Sequence, residues 1–240
     1  MPAAPTPKIP THERLIFALD VPDVAAAQKL VGTLGDAVSF YKLGLELAAS
    51  AHYFELLAWL IERGNKVFAD WKLYDIPATV GAAVRQLARS GASFLTVHGD
   101  RGVVEAAAAA KGERLKILAV TVLTSVAPAD LKEMGIELPI DAFVEQRATR
   151  AVAAGADGVI ASGLEADRLR AALGSKPLIV TPGIRPADAK GGDDQRRVVT
   201  PTRAFSAGAD HIVVGRPIRD AADPRRAAVS IQEEIAALFG

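Results

Sequence analysis

Eight short apolar or β-branched runs, each followed by a longer stretch of helical periodicity, leave this chain few folds to choose from. In order they are "LIFALD", "VSFYKLG", "KVFADWK", "FLTVHG", "KILAVTVL", "GVIASG", "PLIVTPGI" and "HIVVGR". Strands alternating with helices are the pattern of repeated βα units and a parallel sheet. The helix candidates include "DVAAAQKLVGTL", "SAHYFELLAWLIER", "PATVGAAVRQLAR" and "FVEQRATRAVAA". Several helical stretches end on a glycine shortly before the next strand, at Gly64, Gly91, Gly155 and Gly208. Glycine takes a left-handed C-terminal cap at least cost. The phrase "GAxxxxV", in "GASFLTV", "GADGVIA" and "GADHIVV", marks the same turn from helix into strand.

Such units build either an open doubly wound sheet or a closed barrel. Strand count favours closure, and 240 residues is near the ~250 typical of a (β/α)8 barrel. The first βα turn, "LDVPDVAAA", lacks the GxGxxG loop of a dinucleotide site. The reading is therefore a single-domain α/β protein, a (β/α)8 TIM barrel over residues 14–240. The proline-rich "MPAAPTPKIPTHE" lacks the apolar core of a secretory signal and is taken as a flexible leader, residues 1–13.

Composition narrows the function classes. The 28 basic residues are balanced by 28 acidic ones, so there is no general pull toward nucleic acid or an anionic membrane. No segment runs about 18 apolar residues without a charge. Absence of cysteine removes disulfides, thiolate nucleophiles and cysteine-ligated metals, and fits the cytoplasm.

Polar residues fall at the C-terminal ends of nearly all the strands: Asp20, Lys42, Asp70 with Lys72, His98, Thr124, Ser162, Arg185 and Arg216. In a (β/α)8 barrel that rim is where active sites form. Several carry a second reading. Asp20 is a possible helix cap, although Asp23 is better placed for that. Lys42 could snorkel, His98 could be a hydrogen-bonded packing residue, and Ser162 could be a small turn residue. Glu46 could be a metal ligand or the solvated start of a helix.

The densest cluster is "FADWKLYDIPATV". Asp70 and Lys72 are two apart and should share one strand face, whereas Asp75 has the opposite parity. In an extended chain Asp75 would lie about 16 Å from Asp70 at ~3.3 Å per residue. It should not join the same charge pair. An isolated Asp-Lys pair can be purely structural, but this one sits at a barrel mouth.

Together with "FALD", "YKLG", "VTVLTS", "TPGIRP", "GDDQRRVVTP" and "VVGRPI", that cluster resembles the orotidine 5'-phosphate decarboxylase family, from Leu15 to about Ile218. The DxKxxD triplet is shared with keto-gulonate phosphate decarboxylases and hexulose phosphate synthases; "IPATV", "TPGIR" and "VGRPI" make the resemblance specific. It implies a homodimeric barrel that converts orotidine monophosphate to uridine monophosphate and carbon dioxide without metal or organic cofactor. By resemblance, Lys72 protonates C6 of the pyrimidine and Asp70 lies beside the departing carboxylate. Lys42 and Asp20 hold the ribose, and Asp75, Ile76 and Thr79 reach into the neighbouring subunit's site. Thr124 meets the ring, while Arg185, Gln195, Gly215 and Arg216 bind phosphate.

The glycine-rich, polar "ADAKGGDDQRRV" between the last two strands is expected to act as a lid over the phosphate. Rival readings are a magnesium-dependent sugar-phosphate decarboxylase or synthase on the same barrel and a non-catalytic phosphate-ligand sensor. A Schiff-base aldolase is disfavoured because carboxylates beside Lys72 favour its ammonium form.

Overall fold

Each apolar run that the sequence offers as a strand becomes one in the computed structural model, which describes residues 9–186 and 197–240. The strands are β1 (Leu15–Ala18), β2 (Phe40–Leu43), β3 (Lys66–Leu73), β4 (Phe94–His98), β5 (Lys116–Val120), β6 (Gly158–Ile160), β7 (Leu178–Thr181) and β8 (His211–Val214). All neighbours pair in parallel, and β8 closes on β1 through Leu15–Ile212, Ile16–Val213 and Phe17–Val214. That closure removes the open-sheet alternative.

The intervening helices are α1 (Val24–Leu34), α2 (Leu45–Ala48), α3 (Tyr53–Glu62), α4 (Pro77–Leu87), α5 (Arg101–Ala110), α6 (Pro128–Glu133), α7 (Ile140–Ala153), α8 (Ala166–Leu173), α9 (Pro201–Ser206), α10 (Arg216–Arg219) and α11 (Pro224–Phe239). No helix among the described residues is long and apolar enough to cross a membrane. Asp23, rather than Asp20, caps α1: its Oδ1 accepts the Ala26 N–H at 2.8 Å. The turn glycines adopt the expected left-handed conformation, with φ of 79° at Gly64, 86° at Gly91, 103° at Gly155 and 99° at Gly208.

Alternation along each strand splits the core in two. Outward residues such as Phe17, Tyr41, Val67, Leu95, Ile117 and Ile212 pack under the helices. Inward residues, among them Ile16, Phe40, Phe68, Phe94, Leu118, Val180 and Val213, fill the barrel. Where β6 meets β7 the chain needs glycine, because a Cβ on Gly158 would stand 2.5 Å from the Leu178 carbonyl oxygen.

The last residues of the expected leader have defined structure. Thr11–Glu13 form a 3-10 turn, tied down because Glu13 accepts from Lys66 through its carboxylate and from His211 through its backbone carbonyl. Residues 1–8 lie outside the described part of the chain.

His211 lies inside the N-terminal end of the barrel, 3% exposed, with its ring edge-on to Phe40 and Phe94. Its Nδ1–H donates to the Glu13 carbonyl at 2.9 Å, since a carbonyl can only accept. Burial lowers its pKa from 6.5 to about 4, against the pull of that carbonyl. Between those values the unfolded chain holds a proton that the folded one does not. The contribution of His211 is complete above pH 6.5 and falls by about 3 kcal/mol as the pH drops toward 4. Urea titrations across pH 7 to 4 should show this slope in the wild type and a flatter one in His211→Asn, whose amide keeps a donor but does not titrate. Equal slopes would mean that folding leaves the imidazole pKa where it is in the unfolded chain.

Candidate functional site

Two residues beyond the inward-facing apolar layer, the strands turn from hydrocarbon to charge. Ala18 is followed by Asp20, Phe40 by Lys42, Phe68 by Asp70 and Phe94 by Thr96, all on the same face as their predecessors. There the C-terminal ends of the strands enclose a cavity of about 530 Å³. Asp20, Lys42, Asp70, Lys72, Thr124, Arg185, Gly215 and Arg216 line it, so the barrel gathers residues spread over almost 200 positions of sequence.

The charges form a chain of alternating sign. Lys72 Nζ lies 2.9 Å from Asp70 Oδ2, the same oxygen lies 3.4 Å from Lys42 Nζ, and Lys42 reaches Asp20 Oδ1 at 3.1 Å. The Thr96 hydroxyl donates to the other Asp70 oxygen at 2.8 Å. Burial alone would raise the Asp70 pKa, but Lys42, Lys72 and the Thr96 bond together hold it below the ordinary carboxylate range. Burial opposes the Lys42 charge too, and the two aspartates overcome it, raising its pKa. This is a fixed array of charges that exists without any ligand.

Asp70 and Lys72 do meet, though not through a regular strand. Ala69 pairs with Leu95 and Leu73 with Val97, so four steps along β3 match two along β4. Within that bulge Lys72 has φ of +49°, the one left-handed non-glycine residue among those described. Its N–H donates to Thr96 Oγ1 at 3.0 Å. Thr96, fully buried, thus holds both the carboxylate and the bulge that aims the lysine. Bulges next to active sites commonly re-aim a side chain in this way.

Asp75, Ile76 and Thr79 do not join the cavity. All three are exposed, with Ile76 at 65% and neighbouring Tyr74 also at 65%, and Asp75 Oδ1 accepts the Ile76 N–H. Gln195, and all but the last two residues of the expected lid, lie outside the described residues. His98 stacks on Tyr74 with ring centroids 4.8 Å apart and is not a lining residue. Ser162 is a buried turn residue whose Oγ accepts the Leu164 N–H. Glu46 is exposed at the start of α2.

The sequence reading missed Thr96, Arg219 and the pair Arg197–Glu165. Thr96 was findable as the residue two after the inward Phe94. Arg219 lines the cavity, donates to the Asp20 carbonyl at 2.9 Å and pairs with Asp220. No sequence signal marks it.

A sequence profile of the orotidine 5'-phosphate decarboxylase / HUMPS family matches residues 13–231. The orotidine 5'-phosphate decarboxylase of Methylococcus capsulatus is 54% identical over 231 residues, covering 96% of this chain and 95% of the relative. That of Stenotrophomonas maltophilia is 53% identical over 238 residues, covering 98% of each. Among solved structures, orotidine 5'-phosphate decarboxylase from Lactobacillus acidophilus superposes with a TM-score of 0.82 at 37% identity, over 93% of this chain and 99% of that one. With the barrel, the charge chain and a match of this length in agreement, the chain belongs to the orotidine 5'-phosphate decarboxylase / HUMPS family.

Proposed function

We propose that this protein, working in the cytoplasm, decarboxylates orotidine 5'-monophosphate to uridine 5'-monophosphate in pyrimidine biosynthesis, with Lys72 protonating C6. The observation that carries the reading is the Lys72–Asp70–Lys42–Asp20 chain on the wall of the cavity. As the bond from C6 to the carboxylate breaks, carbon dioxide leaves and the electron pair stays on C6 in the plane of the ring, outside the π system. The Lys72 ammonium gives that carbon a proton and recovers one from solvent. No electron sink is required of a cofactor.

A cation fixed before the substrate arrives acts strongly in a water-poor pocket. Two unit charges 4 Å apart interact by roughly 4 kcal/mol at an effective dielectric of about 20. Each 1.36 kcal/mol or so off the barrier is tenfold in rate, so the lysine accounts for about three orders of magnitude. Asp70 sits beside the departing carboxylate and orients Lys72, while Lys42 and Asp20 take the ribose. Thr124 contacts the ring. Arg185, Arg216 and Gly215, on the segments after β7 and β8, take the phosphate at the usual barrel phosphate position, with Gln195 completing the set.

A magnesium-dependent reaction on the same barrel would need metal ligands. Here Thr96 already engages one Asp70 oxygen and two lysines the other.

The reading includes a homodimer. Asp75, Ile76 and Thr79, exposed and absent from the lining of this chain's cavity, would complete the site of a second copy. Asp75 lies beyond the end of β3 at Leu73, and its exposed position leaves it open to a second copy.

Lys72→Ala should bind uridine 5'-monophosphate normally in a calorimetric titration while its turnover, followed by absorbance, drops by about three orders of magnitude; near-normal turnover would remove Lys72 from the mechanism. Mixing inactive Lys72→Ala with inactive Asp75→Asn tests the shared site. Hybrid dimers then carry one intact site, and random exchange should restore about a quarter of wild-type activity. If exchange is demonstrated and no activity returns, Asp75 serves its own subunit.

A further inference from the structure

Arg197 and Glu165 lie behind the cavity wall, where the reaction has no use for them. Their side chains are only 9% and 5% exposed. Arg197 Nη1 donates to Glu165 Oε1 at 2.5 Å, and Nη2 donates to the backbone carbonyls of Val122 at 3.1 Å and Leu123 at 3.0 Å. The Arg197 carbonyl in turn accepts the Ser162 hydroxyl at 3.3 Å. One residue therefore ties together the segments that follow β5 and β6.

A third segment joins through the backbone. Val199, two residues on, forms a parallel bridge with Ile184: the Arg185 N–H donates to the Val199 carbonyl at 2.9 Å, and the Val199 N–H donates to the Gly183 carbonyl at 3.2 Å. Gly163 leaves room for this stem, since a Cβ there would come within 2.3 Å of the Val199 side chain. Arg185 stands at one end of the connection. Thr124, directly after the two carbonyls that Arg197 holds, stands at the other, and both line the cavity.

The pair is a poor way to hold a fold. Arg197 Nε and Glu165 Oε2 are buried with no hydrogen-bond partner among the described residues, and burial raises the Glu165 pKa in spite of the arginine. Apolar residues of similar volume commonly replace buried ion pairs with no loss of stability. What they cannot replace is directed bonding to two successive carbonyls.

We propose that Arg197, braced by Glu165, is a positioning residue that sets the spacing between the ring-contacting wall at Thr124 and the phosphate-contacting backbone at Arg185. It touches no substrate, and the inference rests on the decarboxylase reading. Because the wall grips the ring and phosphate alike before and during reaction, its loss weakens binding more than it slows chemistry. The Lys72–Asp70 array is left intact.

Wild-type decarboxylation of orotidine 5'-monophosphate is measured first, and its absence would overturn the functional reading independently of the positioning role. Two variants then separate positioning from packing. Arg197→Lys keeps a charge opposite Glu165 but loses the planar fork; Arg197→Met with Glu165→Leu removes both charges together and should unfold at a temperature near that of the wild type. In both, KM should rise about tenfold or more while kcat stays within about threefold, and affinity for uridine 5'-monophosphate measured by calorimetry should fall in parallel. Wild-type KM and affinity in either folded variant, or a loss confined to kcat, would overturn the proposal.

Discussion

Asp70 is the residue on which the site turns. The residue is 8% exposed, and a buried charge of that kind persists only when paired and hydrogen-bonded. Lys42, Lys72 and Thr96 supply the partners from three strands. Removing one member of such a buried pair typically costs about 3–5 kcal/mol because the other is left uncompensated. The array is thus tied to the closed barrel: the strands must stand side by side for the charges to be tolerated, and the charges hold the strand ends in register. The preorganisation that proton delivery needs comes with that arrangement.

The backbone that carries this array is irregular. The register shifts between Ala69 and Leu73, Lys72 has φ of +49°, and its ammonium lies 2.9 Å from the Asp70 carboxylate. A left-handed conformation costs an L-residue roughly 1–2 kcal/mol, and the Thr96 hydroxyl offsets part of that by accepting the lysine N–H. Trp71, carried outward by the same turn, packs against Tyr53 and Phe54 with centroids 5.1 and 6.0 Å away. The bend is braced on both faces of the sheet.

Much of this was legible because a (β/α)8 barrel repeats one local rule eight times. Each strand is a local apolar run, each turn glycine a local backbone requirement, and the strand ends are known once the strands are. Asp20, Lys42, Asp70, Lys72, Thr124, Arg185 and Arg216 were therefore placeable without coordinates. What sequence hid is what depends on distant partners or irregular backbone. Arg197 meets Val122 and Glu165 across separations of 75 and 32 residues. The bulge at Lys72 follows no composition rule, and the 3-10 turn at Thr11–Glu13 is held by His211 from the far end of the chain. Asp75 stays outside the Asp70 cluster, but with a bulge at Lys72 and β3 ending at Leu73, strand parity is not what separates them.

Glycines at the rim show the site imposing sequence on the fold. A Cβ on Gly44 would lie 2.9 Å from Asp20 Oδ1 and 3.1 Å from Lys42 Nζ, inside the ion pair itself. At Gly215 it would press on the Ala18 Cβ at 3.3 Å, beneath the same aspartate. Neither has the positive φ that would call for glycine on backbone grounds. Gly44 is small because the Asp20–Lys42 ion pair sits directly over it, and Gly215 because the Ala18 side chain packs against it with Asp20 Oδ2 3.9 Å away. Glycine at the end of a barrel strand therefore carries two meanings in this chain: a left-handed turn where a helix hands over to a strand, and a cleared path where a strand delivers a charge to the mouth.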